Sequence, residues 1–173
     1  SNTLEKKLTE VVEGEMISDV SLGSFLSGGI DSSLITALMQ KISTKKIETF
    51  SIGFEEQQYD ESSHASLVAQ HLNTNHHNIM FNEKDAYDIL NNLPNVYSEP
   101  FGDSSALPTI FLSEFASKRI KVALSGDGGD ELFCGYNRYE FVEKYWKFRG
   151  LIPTSLRKLI SSNLISGNMT AVS

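Results

Sequence analysis

Cysteine is almost absent from this sequence. Cys134 is the single cysteine among 173 residues, so no internal disulfide can form, and this favours a reducing, cytoplasmic location. The sequence has no apolar run long enough to cross a bilayer, and its polar, charged N-terminus is unlike a signal peptide. We therefore expect no membrane partner, and we interpret Ser1 and Asn2 as the remnant of a cleaved tag.

Positive charge is also scarce. The sequence has 15 Lys and Arg residues against 22 Asp and Glu residues, which gives a formal net charge of -7 at pH 7. This balance argues against a broad nucleic-acid surface. A polyanionic ligand would have to be held by backbone N–H groups, a metal ion or a few local cations.

Hydrophobic residues recur at helical spacing in some segments and alternate in others. The pattern predicts helices over residues 4–16, 31–42, 61–72, 84–93, 107–117 and 139–148. It predicts strands over residues 20–26, 47–54, 76–81 and 120–124. Strands that alternate with helices of this length are typical of an α/β fold whose mainly parallel sheet carries helices on both faces.

Two glycines follow the first predicted strand, in the sequence FLSGGIDSSL. Ligands of parallel α/β sheets bind beyond the carboxyl ends of the strands. The backbone of this first glycine loop (residues 27–29), the start of the next helix and the hydroxyls of Ser27, Ser32 and Ser33 suit a phosphate group. A Walker A loop has a lysine after its glycines, and this loop has none. Asp31 beside a phosphate therefore suggests a cation between them, and Mg²⁺ prefers such ligands. The alternative is a tight turn in which Asp31 favours the helix start.

A second glycine loop (residues 124–131, LSGDGGDE) follows the fourth predicted strand. If the two strands are parallel neighbours, both loops open on the same edge of the sheet. Asp31 and Asp130 would then meet at one metal ion, with Asp127 and Glu131 as further acidic candidates. The alternative is a solvated acidic turn that caps the following helix.

The four histidines invite a metal-site interpretation. His76 and His77 would point to opposite faces of a strand, and His64 and His71 lie seven positions apart on a helix. This spacing does not make a tight tetrahedral site. We therefore expect surface histidines or histidines with protein partners.

Three stretches of the sequence resemble one enzyme family. Residues 27–32 (SGGIDS) match the S-G-G-x-D-S motif of the N-type ATP pyrophosphatase (PP-loop) superfamily. Residues 124–139 (LSGDGGDELFCGYNRY) and 99–109 (EPFGDSSALPT) are similar to the synthetase domain of glutamine-hydrolysing asparagine synthetases. The resemblance implies a three-layer, adenine nucleotide alpha hydrolase-like (PP-loop) fold.

The resemblance also implies a reaction. Such ligases bind ATP and Mg²⁺, adenylate the side-chain carboxylate of aspartate, and form asparagine with ammonia from glutamine. Another PP-loop synthetase acting on a different carboxylate, or a non-catalytic nucleotide-binding module, remains an alternative.

Site residues follow from the resemblance by motif position. The residues implied to hold pyrophosphate are Ser27, Gly28, Gly29, Asp31, Ser32 and Ser33. The residues implied to lie against the rest of the nucleotide are Leu26, Ile52, Gly53, Ser125 and Gly126. Asp31 and Asp130 would hold Mg²⁺, and Asp127, with Asp130, would be catalytic.

The resemblance carries expectations about domains and partners. Residues 3–150 would be the N-terminal part of the ATP-pyrophosphatase domain, and 151–173 the start of its truncated helical remainder. A glutaminase domain, absent from these residues, would belong to the same full-length chain, and a homodimer is possible in such a system. The fragment alone would be inactive. One departure from the family motif is Cys134, where relatives carry a small residue.

Overall fold

The computed structural model describes residues 2–56, 60–99, 102–136, 138–139, 141–142 and 144–146. The helices are α1 (Asn2–Glu15), α2 (Ile30–Ile42), α3 (Ser62–Leu72), α4 (Glu83–Leu90), α5 (Leu93–Val96), α6 (Ala106–Ser117) and α7 (Gly129–Phe133). The strands are β1 (Leu22–Phe25), β2 (Glu48–Phe54), β3 (Asn75–Phe81) and β4 (Val122–Leu124). Within these ranges, no helix has the length and apolar character that a membrane crossing requires.

The four strands form one sheet in the order β3-β2-β1-β4. Every pair of neighbours is parallel, including β1 with β4, where Leu22 lies opposite Val122. The predicted parallel α/β sheet is therefore confirmed. Since β2 and β4 flank β1 on opposite sides, the chain leaves β1 in one direction along the sheet and returns on its other side.

One face of the sheet is covered by α1, α2 and α3. The core beneath α1 and α2 contains Val12, Leu38, Met39 and Ile47. A smaller cluster beneath α3 contains Leu26, Ala65 and Ala69, and Leu26 is only 1% exposed. Since Leu26 directly follows β1, its contact with Ala65 places the first turn of α3 beside the carboxyl end of β1.

The other face is covered by α6, which packs against β2 and β3. Its core consists of Phe50, Leu112, Ala116 and Ile120. Phe50 is fully buried, and its ring meets the Phe115 ring edge-on at 6.0 Å between centroids. The molecule thus has the predicted three layers, helix over sheet over helix.

Short elements depart from the sequence prediction. The helices α5 and α7 have four and five residues, about one turn each, which is too short for hydrophobic periodicity to reveal. The strand predicted over residues 20–26 is shorter at both ends in β1. The predicted helix over 139–148 lies only partly within the described residues, and the predicted tail over 151–173 lies outside them.

The contacts divide the chain into two compact units, Ser1–Asp127 and Gly128–Ser173. The sheet and the first glycine loop belong to the first unit. The second glycine loop begins in the first unit and ends in the second, so its two parts are described separately.

Candidate functional site

The two glycine loops leave neighbouring strands at one edge of the sheet. The first follows β1 and the second follows β4, and these strands are parallel partners. The shared position at the carboxyl ends of the strands, here termed the carboxyl edge, is therefore confirmed. It lies where the chain reverses its direction along the sheet, which is where parallel α/β sheets bind ligands.

Gly28 gives the first glycine loop its shape. Its φ of +86° lies in the left-handed region that residues with a side chain rarely adopt. A Cβ at this position would lie 2.7 Å from the backbone N of Ala65 and 2.8 Å from the carbonyl carbon of His64. The first turn of α3 therefore lies directly behind the loop, and only glycine fits between them.

Hydroxyl groups fix the loop on the start of α2. The Ser27 and Ser32 hydroxyl oxygens lie 2.9 Å apart, and the Gly29 N–H donates to Ser27 Oγ at 3.1 Å. Ser33 Oγ is buried and has no hydrogen-bond partner within the described residues. The first N–H groups of a helix have no acceptor within it, so the start of α2 supplies donors for an anion.

A buried hydroxyl pair holds α2 on the sheet beneath this loop. Ser24 Oγ of β1 and Thr36 Oγ1 of α2 lie 2.9 Å apart, and both residues are fully buried. Thr36 Oγ1 also donates to the Ser32 carbonyl oxygen at 2.7 Å. The helix that carries Ser32 and Ser33 is thus fixed to β1 by side chains as well as by apolar packing.

Gly126 brings the second glycine loop against the first turn of α2. A Cβ at Gly126 would lie 2.6 Å from the Ser32 backbone N and 2.9 Å from the Asp31 carbonyl carbon. The close approach is therefore between backbones, and any side chain would separate the loops. The starts of the two motifs, which the sequence places far apart, are thus in contact within the first unit.

Ser125 positions the side chain of Asp127. Ser125 Oγ donates to Asp127 Oδ2 at 2.9 Å, and the Asp127 N–H donates to Ser125 Oγ at 3.4 Å. Asp127 itself is exposed. The candidate catalytic carboxylate is therefore held at the edge of the site while it stays accessible to a substrate.

Three of the residues predicted to lie against the rest of the nucleotide, Leu26, Ile52 and Gly53, lie at the ends of β1 and β2. Leu26 is buried in the cluster beneath α3, so its side chain is not available to a ligand. Ile52 packs on the α6 side of the sheet. A Cβ at Gly53 would lie 2.6 Å from Met80 Sδ and 3.2 Å from Asp60 Oδ1, so Gly53 sits in a crowded position where a side chain would displace its neighbours.

The second unit carries Asp130 and a cluster around Tyr136. A Cβ on Gly135 would overlap the Asp130 carboxylate, so Asp130 packs directly against the Gly135 backbone. Tyr136 donates its hydroxyl proton to Glu131 Oε1 at 2.6 Å, and the Arg138 guanidinium lies 4.0 Å from the centre of the Tyr136 ring. The Tyr136 hydrogen bond, aided by the charge of Arg138, holds the pKa of Glu131 below its ordinary value.

The proposed metal ligands Asp31 and Asp130 belong to different units. Across the ranges that the structure describes, no three His, Cys, Asp or Glu residues form a metal-binding group. Asp31 begins α2 beside Gly126, close to the phosphate-binding groups. A carboxylate there suits a cation shared with phosphate oxygens, and the Asp31–Asp130 site stays a prediction.

The histidines of β3 lie on opposite faces of the sheet, as expected. On one face, His76 contacts the hydroxyls of Thr49 (3.1 Å) and Ser51 (3.2 Å). Burial lowers the pKa of His76, and the neighbouring charge of His77 lowers it further. His64 and His71 are exposed.

On the other face, His77 stacks on the Phe50 ring and its Nε2 lies 2.6 Å from Glu48 Oε2. Burial would raise the pKa of Glu48, but hydrogen bonds from Asn75 and His77 and the charges of His77 and Arg119 hold the pKa below its ordinary value of 4.5. These groups line an open pocket of about 740 Å³ at the opposite, amino edge of the sheet.

Sequence reasoning missed the residues that support the loops from behind. The contact of Gly28 with His64 and Ala65 requires the packing of α3, which no local pattern reports. Asp60, two residues before Ser62, carries a local signal, because Asp in that position often bonds the backbone at a helix start. The Ser24–Thr36 pair gives no signal at all, since each residue alone is an ordinary small polar side chain.

The motifs and the fold agree with a comparison against known families. The family model described as "Asparagine synthase" matches residues 3–171. The chain belongs to the asparagine synthase family. The family that the sequence motifs suggested is therefore confirmed.

Curated relatives carry the same family name. The chain is 42% identical over 159 residues to "Putative asparagine synthetase [glutamine-hydrolyzing] 2" of Methanocaldococcus jannaschii, which covers 88% of this chain and 31% of that protein. It is 38% identical over 152 residues to "Asparagine synthetase [glutamine-hydrolyzing] 1" of Bacillus subtilis, covering 86% of this chain and 23% of that protein. The chain thus spans a third or less of the length of these relatives.

Two solved structures share the fold. An NH3-dependent NAD synthetase from Campylobacter jejuni superposes with a TM-score of 0.53 at 16% identity, covering 79% of this chain and 60% of that chain. An NMN synthetase from Francisella tularensis gives 0.56 at 17% identity, covering 78% and 58%. The predicted fold is confirmed by these neighbours.

Proposed function

We propose that this chain is the ATP-binding synthetase part of a glutamine-hydrolysing asparagine synthetase. The observation that carries the proposal is the contact between the two family motifs. Gly126 of the second loop meets the backbone of Asp31 and Ser32 at the start of α2, at the carboxyl edge of a parallel sheet. We assign residues 3–150 to the N-terminal part of this domain and 151–173 to the start of its helical remainder.

The first glycine loop binds the β- and γ-phosphates in this proposal. The N–H groups at the start of α2 and the hydroxyls of Ser27, Ser32 and Ser33 donate to phosphate oxygens. The buried, unpartnered Ser33 Oγ fits this role, since a phosphate oxygen supplies the acceptor that it lacks within the described residues. The loop is held by protein contacts before any ligand binds, so little reorganisation accompanies the reaction.

Two displacements make the amide. An aspartate side-chain oxygen attacks the α-phosphorus of ATP and pyrophosphate leaves. Ammonia then attacks the carbonyl carbon, AMP leaves, and Asp127 accepts the proton that ammonia loses. Ser125 holds Asp127 in place for this step through the hydrogen bond from its Oγ to Asp127 Oδ2.

Asp31 and Asp130 are the proposed ligands of Mg²⁺. The ion would neutralise the charge that pyrophosphate carries as it leaves. Asp31 fits this assignment because it stands at the start of the phosphate-binding helix, where a carboxylate beside a bare phosphate would be repulsive.

Partners and location follow from the same proposal. We assign the ammonia source to a glutaminase domain of the same full-length chain, as the names of the relatives suggest. The single cysteine and the acidic surface agree with a cytoplasmic enzyme that binds small molecules and no nucleic acid. A homodimer is part of the proposal and is tested by light scattering.

Exchange of labelled pyrophosphate into ATP tests the proposal. In the native full-length protein, aspartate together with Mg²⁺ should support exchange, and glutamate should support much less. If only a different carboxylic acid supports exchange, that acid and not aspartate is the substrate. ATP binding without exchange for any acid would instead favour a non-catalytic nucleotide-binding module.

A further inference from the structure

Asp60 connects the end of β2 to the start of α3. Its Oδ1 atom accepts a hydrogen bond from the N–H of Phe54, the last residue of β2, at 3.4 Å. The same oxygen accepts from the N–H of Ser62, the first residue of α3, at 3.1 Å. A single carboxylate oxygen therefore closes the connection between the two elements.

Both elements that Asp60 joins are walls of the candidate site. The first turn of α3 lies behind Gly28, whose Cβ position is 2.7 Å from the Ala65 N–H nitrogen. The end of β2 carries Gly53, whose Cβ position is 3.2 Å from Asp60 Oδ1. The carboxylate thus contacts the end of β2 directly. It contacts the first glycine loop only indirectly, through the first turn of α3.

The chemistry of Asp60 suits a permanent acceptor. Hydrogen bonds from the side chain and backbone of Ser62 hold the pKa of Asp60 below its ordinary value, so the group is ionised at neutral pH. A negative charge ahead of α3 also interacts favourably with the positive end of the helix dipole. Asp60 is thus suited to hold these two backbone segments at a fixed separation.

We propose that Asp60 is a positioning residue of the nucleotide site. It keeps the end of β2 and the first turn of α3 at the separation that ATP requires, and it contacts no reacting atom. This inference rests on the proposed function, since it concerns the same ATP site.

Calorimetric titration of the full chain with Mg²⁺ and ATP tests the role. Asp60→Ala removes the acceptor of both N–H groups, so the two segments are no longer held at a fixed separation and ATP binding should weaken about tenfold. Asp60→Asn keeps an oxygen at Oδ1 and should bind within about threefold of wild type, because a neutral acceptor is weaker but correctly placed.

Asp85→Ala is the matched control. Asp85 Oδ2 accepts from the Asn82 N–H at 3.1 Å in the capping box of α4, and α4 packs on α6 across the sheet from α2 and α3. This variant also removes an aspartate from a helix start, so it should lower thermal stability without changing the ATP affinity.

Three results would overturn the inference. Asp60→Ala could bind ATP as tightly as wild type, Asp60→Asn could fail to restore binding, or Asp85→Ala could weaken binding equally. If Asp60→Ala does not fold, Asp60→Glu decides, because one added methylene shifts the carboxylate and should weaken binding severalfold, whereas wild-type affinity contradicts the role. If the wild-type protein does not bind ATP, the proposed function is contradicted as well. If wild type and variant bind ATP equally, only the role of Asp60 is contradicted.

Discussion

The two edges of the sheet differ in how their polar groups find partners. At the amino edge, Glu48 accepts from Asn75 Nδ2 at 2.8 Å and lies 2.6 Å from His77 Nε2, so side chains satisfy one another. At the carboxyl edge, Gly28 and Gly126 let backbones approach closely, and Ser33 Oγ is buried without a partner in the described residues.

This contrast separates a structural polar cluster from the proposed ligand site. Charged residues alone do not distinguish the two edges, since both contain carboxylates. The amino edge uses its carboxylate to fix β2 against β3. The carboxyl edge uses glycine to bring backbone donors together, and these donors are what a phosphate needs. Substitutions at the two edges should therefore separate stability from nucleotide binding.

Gly28→Ala should have the largest effect. The substitution places a Cβ against the backbone of His64 and Ala65 at a φ of +86°, so it should lower the free energy of unfolding by about 2–4 kcal/mol and abolish ATP binding. Urea denaturation and calorimetry measure the two effects. Gly14→Ala is the control, because its added Cβ would meet nothing within 4 Å beyond the adjoining backbone of α1 and the substitution should stabilise α1 by about 0.5–1 kcal/mol. Wild-type stability and ATP binding in Gly28→Ala would show that the loop does not need glycine there.

Asp31→Ala should separate binding from stability at the carboxyl edge. Loss of the proposed metal ligand should weaken Mg²⁺-dependent ATP binding at least about 100-fold, close to 2.7 kcal/mol. The unfolding free energy should change little, because an acidic residue in the first turn of α2 contributes at most about 1 kcal/mol through the helix dipole. Titration with ATP at several Mg²⁺ concentrations measures the effect, and an unchanged Mg²⁺ dependence would refute the metal role.

Glu48→Ala should show the opposite separation. Its removal leaves Asn75 and His77 without their acceptor and should cost about 1–2 kcal/mol of stability, while ATP binding stays at the wild-type level. Because the pKa of Glu48 is lowered in the fold, its contribution is present above pH 4.5 and is lost as the pH falls through the lower folded value. Urea titrations of both proteins from pH 7 to pH 3 should therefore converge at the acid end. Weakened ATP binding in Glu48→Ala would contradict the division between the edges.

Cys134→Gly should give the smallest effect, and it should be stabilising. Cys134 is exposed and has a φ of 58°, in the same left-handed region where Gly28 stands. Glycine removes the cost of a side chain there, and we expect a gain of about 0.5–1 kcal/mol. A thermal melt compares the variant with wild type. Lower stability would mean that the thiol makes a contact that glycine cannot replace.

Much of the fold could be predicted from the sequence because its signals are local. Hydrophobic spacing located the five longest helices and the four strands of the first unit to within a few residues, and glycine after two strands located the loops. The parallel pairing of β1 with β4 needed an assumption about distant residues, which the register of Leu22 with Val122 supports. Family motifs then named the site residues that local chemistry left open.

What could not be predicted depends on pairs of distant residues. The partners of His76 are Thr49 and Ser51, and they follow only from the register of β2 with β3. The acceptor of the Phe54 N–H is Asp60, and it follows only from where the chain re-enters at α3. The sequence indicates that a buried polar residue needs a hydrogen-bond partner, but the residues around it do not indicate which residue that partner is.

The pairing of Leu22 with Val122 has a consequence for the order of folding. Its long sequence separation makes loop closure entropically expensive, so β4 is expected to dock on β1 after β2 and β3 have formed. In chains that have not yet reached that step, the first glycine loop would be formed, but the second would not yet be in place beside it. Under the proposed function, ATP would bind only chains that have completed the sheet, and by mass action it would draw the folding equilibrium toward them.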